Sequence, residues 1–295
     1  MAVEIMQDVR HLDVSLLRQS LGTQFVGVGE CLVYVPEVES TNTLAMKLAR
    51  ARPEEGLVVL ADSQTAGKGR QGRRWVDIPG CNILSSTLLR PLFPPHLLVM
   101  IASLAVVEAI EQACRLQATI KWPNDILIAD RKVCGILIET SHDPAGRLIA
   151  VLGIGINVNG QLHGRVEQKG VEVDLATIAT TLETACDHPV SREEILVYLL
   201  TAIEKNYLAL QQEATEPPVV ASSTGPAARL LRERWQHHLS TLGRTVKVHQ
   251  GDNVVEGVAE AVNENGELLL RHHSGELACI TWGVVEHSSR LATYP

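Results

Sequence analysis

Apolar and polar positions recur along the chain in two periods, and the switches between them predict its elements. The first thirty residues predict a short helix with Leu12, Leu16 and Leu17 on one face. Residues 31–35 and 57–61 are apolar runs of strand length. Between them Ser40 and Thr41 are N-cap types, and Leu44, Ala45, Leu48 and Ala49 keep helical spacing until Pro53. Residues 63–80 hold few aliphatic side chains and several glycines, which predicts a long, mobile loop. A strand over 82–89 follows, then Pro94-Pro95 introduces a helix from Leu97 to Cys114. Residues 119–121, 126–129, 133–139 and 148–158 read as strands, with a tight turn at Asp130-Arg131.

Two helices come next. The second opens on Ser191-Arg192-Glu193-Glu194, a capping-box match, and places Ile195, Tyr198, Leu199, Ala202 and Ile203 on one stripe. Residues 213–227 contain Pro217-Pro218, Ser222-Ser223 and Gly225-Pro226 and read as an irregular insertion or linker. A short helix around Trp235 leads into short strands punctuated by Gly251-Asp252-Asn253, Asn265-Gly266 and Ser274-Gly275. Asn-Gly between alternating strands is a hairpin signal, and about five such strands predict a small barrel. The expected organisation is an N-terminal helical segment (1–30), a larger unit (31–238) and the barrel (239–290). No internal repeat is visible.

Composition narrows this picture. With 295 residues, 45% of them hydrophobic and 20% charged, the chain can bury a core without staples. Aromatics are only 3%, so aliphatic side chains build that core. A net charge of −8 excludes a global basic field for nucleic acid. The six cysteines form no C-x-x-C pair, which excludes a zinc ribbon and predicts free buried thiols. The N-terminus carries Glu4, Asp8 and Arg10 and is not a signal peptide. The longest apolar run, 97–107, is stopped by Glu108 and is too short to span a bilayer. A cytoplasmic protein without a membrane partner is expected.

Gly67-Lys68-Gly69-Arg70-Gln71-Gly72 matches G-x-G-x-x-G formally, but no helical stripe follows, so it is not a dinucleotide fingerprint. Gly69 stands where a P-loop needs Ser or Thr, and Arg74 where a kinase loop needs Val. What remains is a glycine loop with Lys68, Arg70, Arg73 and Arg74, either an anion cradle or a solvated basic loop. Lys121-Trp122-Pro123-Asn124-Asp125 offers oxygens at Asn124 and Asp125 that suit Mg²⁺. Across the hairpin lies Lys132, either a cation facing a cleft or a turn lysine. The glycines of Gly153-Ile154-Gly155-Ile156-Asn157-Val158-Asn159 mark either close ligand approach or a bulged strand. The histidines form no metal-binding pattern; His237-His238 and His272-His273 are assigned to the surface. No G-x-S-x-G elbow occurs.

Taken together, Ser40-Thr41-Asn42, the stretch from Gln64 through the glycine loop to Trp75, Lys121 to Asp125, Arg131 to Glu139 and Gly153 to Asn159 resemble, in order and spacing, the bacterial biotin–protein ligase family. The resemblance is strong from Cys31 to Asn159 and weaker over the barrel. It implies an α+β fold: a mixed-sheet catalytic domain flanked by helices, with a small C-terminal SH3-like β-barrel. It implies a biotin–[acetyl-CoA-carboxylase] ligase that uses ATP and Mg²⁺ to form biotinyl-5′-AMP and transfers biotin to a lysine of a biotin carboxyl carrier protein domain. Carried over by residue, Ser40, Thr41 and Gln64 would meet biotin's ureido end, with Asn42, Lys68, Gly69 and Gly135 also on the biotin. Arg70 and Lys132 would be catalytic and touch both substrates. Arg73, Trp75, Asn124, Asp125 and Asn157 would face the nucleotide, and Asn124 and Asp125 the metal.

Lys68 departs from the family's more frequent arginine, keeping the charge but losing the bidentate fork. A winged-helix DNA-binding module needs about sixty residues, and thirty-nine precede Ser40. A monofunctional ligase that does not bind DNA is therefore expected, as a monomer or homodimer. The alternatives are a lipoate–protein ligase and a non-catalytic biotin- or nucleotide-sensing regulator.

Overall fold

The computed structural model describes residues 10–51, 54–168, 171–215 and 225–287. Expectations on Pro53, Pro217-Pro218 and Ser222-Ser223 lie outside the described residues.

In chain order the elements are α1 (Val14–Ser20), β1 (Leu32–Val38), α2 (Thr41–Ala49), β2 (Val58–Gln64), β3 (Ile83–Leu89), α3 (Leu97–Cys114), β4 (Thr119–Lys121), β5 (Asp125–Ile128), β6 (Arg131–His142) and β7 (Leu148–Ile156). The strands form one seven-stranded sheet in the order β1-β2-β3-β7-β6-β5-β4. Only β1 and β2 run parallel and every other pair is antiparallel, so the sheet is mixed. A small hairpin, β8 (Arg165–Gln168) with β9 (Val171–Asp174), and two short helices, α4 (Leu175–Ile178) and α5 (Leu182–Cys186), lead to α6 (Arg192–Thr215) and α7 (Pro226–His237). Five antiparallel strands close the chain: β10 (Thr245–Gln250), β11 (Asn253–Val262), β12 (Leu268–Arg271), β13 (Leu277–Ile280) and β14 (Val284–His287), in the order β13-β12-β11-β10-β14.

The central strands read as continuous apolar runs because both sheet faces are covered. Val58 and Leu60 of β2 join the large core under α3 and α6, while Leu57 and Val59 join a smaller core under α2. Along β7, Ala150, Leu152 and Ile154 face the first and Ile149 and Val151 the second, the period-2 alternation of a strand. Helix α3 is long and apolar enough to cross a membrane by length and composition, although its uninterrupted apolar run predicted otherwise; 67% of that window is buried inside the protein.

Several expectations need correction. Leu16 is 48% exposed, whereas Leu17 is fully buried. Asp13 caps α1 by accepting from Leu16 N at 2.9 Å, so Leu12 lies before the helix and shares no helical face with Leu16. The tight turn is centred on Ala129 and Asp130, both at positive φ, one residue earlier than expected. The segment 213–227 is not irregular throughout: α6 runs on to Thr215 and α7 starts at Pro226. The Glu213 carboxylate joins the two helices by accepting from Ala228 N at 3.3 Å and, more closely, from Ala227 N. The β8–β9 hairpin went unforeseen. All six cysteines are free, but only Cys134 is buried and Cys279 is exposed.

The N-terminal segment is held by α6. Arg192, 3% exposed, donates to the buried Asp62 on β2 at 2.8 Å. Asp62 also accepts from Tyr34 and His11. Glu204 receives the backbone N–H groups of Gln24, Phe25 and Val26. One half of the expected capping box is seen, with Ser191 Oγ accepting from Glu194 N at 3.2 Å.

The barrel packs directly on β4 and the segment after it. Ile120 exchanges backbone hydrogen bonds with His238 and Ser240. Trp122 donates its backbone N–H to Thr241 Oγ1 at 3.0 Å and its indole N–H to Gly266 O at 2.9 Å. Arg244 reaches Asp130 at 3.2 Å.

Candidate functional site

A cleft opens on the α2 side of the sheet, over the middle of β6 and β7. Its floor is glycine: Gly135 on β6 and Gly153 and Gly155 on β7 face it. Side chains there would collide with what lies above. A Cβ on Gly155 would meet the Trp75 indole at 2.7 Å, and one on Gly153 would meet Asn42 Oδ1 at 2.2 Å. The register of β7 with β3 and β6 runs without a shift through Gly153 to Ile156, so the strand is not bulged there, and what approaches its glycines is Trp75 and Asn42.

One end of the cleft is a hydrogen-bonding cluster. Ser40 is the N-cap residue of α2, without a side-chain capping bond, and it lines the cleft with Thr41 and Asn42. Gln64, at the end of β2, accepts at Oε1 from Thr41 N at 2.8 Å and from Thr41 Oγ1 at 3.1 Å. The Ser86 hydroxyl on β3 lies 2.8 Å from Thr41 Oγ1 and 2.6 Å from Asn42 Oδ1. Asn42 donates from Nδ2 to Glu139 on β6 at 2.8 Å. Leu84, paired with Gly155, and Leu137, paired with Gly153, share the glycine face and supply apolar wall. Sequence reasoning missed Ser86 and Glu139. The run Ser85-Ser86-Thr87 inside an otherwise apolar strand was a readable signal for the first.

Backbone and side-chain hydrogen bonds shape the glycine loop. Gly69 N donates to Arg73 O at 2.7 Å and Trp75 N to Gly67 O at 2.9 Å, which pins a tight turn. Gln71 and Gly72 both take positive φ, and Gly72 does so at no steric cost. Arg70 Nη1 donates to Asn124 Oδ1 at 2.8 Å. Burial lowers the Arg70 pKa, Asp125 opposing and Arg73 adding to the shift; an arginine keeps its proton all the same. Lys68 reaches Glu139 at 3.2 Å. Trp75 lies over Gly135 and Gly155, and its buried Nε1–H has no hydrogen-bond partner among the described residues.

At the other end Lys132 places Nζ 2.7 Å from Asp125 Oδ1 and 5.6 Å from the Trp75 ring centroid. A register shift brings it there. Cys134 pairs with Ile126 but Lys132 pairs with Leu127, leaving Val133 as the extra residue of a bulge. Without the bulge Lys132 would share the core-facing side of the buried Cys134. With it, the ammonium lies over the glycine floor, 3.2 Å from where a Gly135 Cβ would be. Lys132 thus faces the cleft from within β6 and not from the turn.

The structure gathers Ser40, Thr41, Asn42, Gln64, Lys68, Gly69, Arg70, Trp75, Asn124, Lys132 and Gly135 in this one cleft. Asp125 stands behind Lys132. Two expected residues do not face it. Arg73 is exposed and touches the loop through its backbone. Asn157 is 5% exposed and donates its amide to Thr180 O at 3.2 Å, tying down the segment before α5. One oxygen of Asn124 and one of Asp125 each face a cation, Arg70 and Lys132. Among the described residues no three His, Cys, Asp or Glu side chains are grouped to hold a metal ion.

The cleft therefore suits an elongated ligand with an amide-like polar end, an apolar middle and an anionic end. Lys68, Arg70 and Lys132 concentrate positive charge on a chain that is acidic overall.

The sequence model of the Biotin/lipoate A/B protein ligase family matches residues 34–159, and that of the Biotin protein ligase C terminal domain matches residues 241–288. The chain is 32% identical over 268 residues to the "Bifunctional ligase/repressor BirA" of Bacillus subtilis, covering 90% of this chain and 76% of that protein. It is 30% identical over 294 residues to the "Biotin--[acetyl-CoA-carboxylase] ligase" of Mycobacterium tuberculosis, covering 96% of this chain and 99% of that one. Among solved structures, the biotin protein ligase from Aquifex aeolicus in complex with biotin and ATP superposes with a TM-score of 0.69 at 27% identity, covering 87% and 99% of the two chains.

Proposed function

The chain belongs to the biotin/lipoate A/B protein ligase family, and we propose from that premise that its cleft joins biotin to ATP and then to a lysine of a biotin carboxyl carrier domain. The carrying observation is the pairing, in one cleft, of the Gln64–Thr41–Asn42–Ser86 hydrogen-bonding end with the Arg70 and Lys132 end. Biotin's ureido ring has donors and an acceptor for the first end. Lipoate's dithiolane ring has none and could exchange no hydrogen bond with that cluster, whereas a site built from such groups selects a ligand that can. This favours biotin over the lipoate reading.

In the first step a biotin carboxylate oxygen attacks the α-phosphorus of ATP; the bond to the β-phosphate bridge breaks and pyrophosphate leaves. Two anions meet, so their repulsion must be offset. Lys132, held by Asp125, and Arg70, held by Asn124, lie where they can do so, and preorganised charge costs no rearrangement during reaction. Glycine backbone at 135 and 155 lets the Trp75 indole pack close to the sheet. In the second step the carrier lysine's neutral amine attacks the acyl carbon; AMP leaves with the C–O bond's electrons and the amine gives up a proton. Trp75 and the loop around Gly69 cover this region and exclude water from an intermediate that hydrolyses readily. Mg²⁺ enters as part of the nucleotide substrate and neutralises its phosphates; no step is assigned to a protein-held metal.

Biotin-dependent exchange of labelled pyrophosphate into ATP, without carrier protein, tests this reading. Exchange driven by lipoate and not by biotin would move the assignment to the sister enzyme. Exchange with neither would return the chain to the regulator class.

A further inference from the structure

Glu139 lies outside the residues that would touch biotin or nucleotide, yet it touches both walls of the cleft. One carboxylate oxygen accepts from Asn42 Nδ2 at 2.8 Å, and the other pairs with Lys68 Nζ at 3.2 Å. Asn42 is 4% exposed, sits against Gly153 and receives the Ser86 hydroxyl, so it belongs to the floor of the polar end. Lys68 belongs to the glycine loop, whose neck is closed by a bridge between Lys68 and Arg74. A second tie, Arg70 to Asn124, holds the far side of the same loop. The Gly67–Gly72 stretch is thus tied to the sheet by side chains at Glu139 and at Asn124, beside the backbone bonds of Thr65 and Ala66 to Val38 and Glu39, and the Glu139 tie reaches the polar floor.

We propose that Glu139 is a positioning residue that clasps the glycine loop over the cleft, holding Lys68 with one oxygen while holding Asn42 with the other. Lys68 is then a tether of the loop, its ammonium committed to Glu139 and only its backbone turned to the ligand. A ligand that hydrogen-bonds at the Asn42 end stabilises the rotamer in which Asn42 holds Glu139, and so favours the closed loop. The clasp is partly exposed, with side chains 34% and 44% accessible. It is therefore a weak, reversible tie, suited to a loop that must open for each turnover.

The test uses the full chain and the variants Glu139→Gln, Lys68→Met, their double mutant, and the charge swap Lys68→Glu with Glu139→Lys. The first readout needs no biotin: cleavage after Arg73 and Arg74 by an arginine-specific protease reports how often the loop opens. Each single variant should be cut about two- to fivefold faster, the range of a partly exposed ion pair. The double mutant should be cut no faster than either, and the swap should return toward the parent rate. The second readout rests on the biotin ligase reading: release of biotinyl-AMP in a chase should accelerate in the same order, and by more than its formation slows. Unchanged cleavage across the set, or additive effects in the double mutant, would overturn the clasp. Absence of any biotin-dependent activity in the parent would overturn the enzyme assignment while the cleavage series still decides the clasp. Thermal melting of each variant separates loop opening from global unfolding.

Discussion

Replacing Lys132 by alanine tests whether the cation on the glycine floor is chemical or structural, because the two roles differ in size. Structurally, the side chain makes one ion pair, to Asp125 at 2.7 Å with the partners 35% and 28% exposed, and one cation–π contact at 5.6 Å. A partly exposed pair is worth about 0.2–1 kcal/mol after screening, and the ring contact about 0.5–1 kcal/mol. Losing both costs roughly 1–2 kcal/mol, a fall in melting temperature of about 2–8 °C for a chain this long. Chemically, a preorganised charge facing a developing anion contributes about 10²–10³ in rate, or roughly 3–4 kcal/mol of transition-state stabilisation. The Lys132→Ala protein should therefore melt a few degrees lower yet form biotinyl-AMP at least a hundredfold more slowly. Single-turnover formation of the adenylate, with enzyme in excess over biotin, isolates that step from transfer to the carrier. Asp125→Asn, which loosens the ammonium without removing it, should fall between the two. A Lys132→Ala protein that forms biotinyl-AMP at the parent rate would refute the reasoning, whatever its stability.

Gly153→Ala should raise the KM for biotin tenfold or more, since its Cβ, 2.2 Å from Asn42 Oδ1, displaces Asn42 from Ser86 and Glu139; calorimetric biotin affinity equal to the parent's would contradict this. Asp62→Asn should cost about 3–5 kcal/mol by leaving Arg192 buried beside a neutral amide, measured by urea unfolding at neutral pH. Burial raises the Asp62 pKa, but hydrogen bonds from Tyr34, His11 and Arg192 and the Arg192 charge outweigh it and hold the carboxyl below its ordinary value. Its stabilising contribution is thus present above the ordinary carboxylate pKa and lost as pH falls through the lowered one, and the Asn variant should lack that acid limb. His287, at the junction of barrel and sheet, is pushed down to about 4 by burial and by the Lys121 and Arg244 charges, against Asp130. The unfolded chain takes up this proton near pH 6.5, so stability should fall between about pH 6.5 and 4. His287→Gln should flatten that part of the unfolding profile; an unchanged slope there would refute the assignment.

Local pattern alone determined much of this protein. The interior helix Leu97–Cys114 follows from its aliphatic run and the prolines before it, and α6 from Ser191 and its stripe. The five-stranded unit follows from turn residues at short intervals. Such signals are legible because caps, turns and periodicity act within a few residues of their cause. The glycine loop, the Asn124–Asp125 segment and the glycines of β7 stood out for the same reason, since each concentrates unusual residue types in a short stretch. Long-range register was not legible. That Lys132 faces the cleft depends on one extra residue, Val133, in β6, and a one-residue shift reverses every face assignment before it without changing composition. Glu139 meets Lys68 across 71 positions only because β6 passes beneath the loop. Asn157 bonds Thr180 and leaves the cleft for a similar reason: its partner is placed by the packing of the segment before α5. Trp122, inside the Lys121–Asp125 stretch, anchors the barrel, because Thr241 and Gly266 arrive beside it from the far end of the chain. In each case the deciding partner is distant in sequence, and only the closed sheet and its docked barrel bring it within hydrogen-bonding distance.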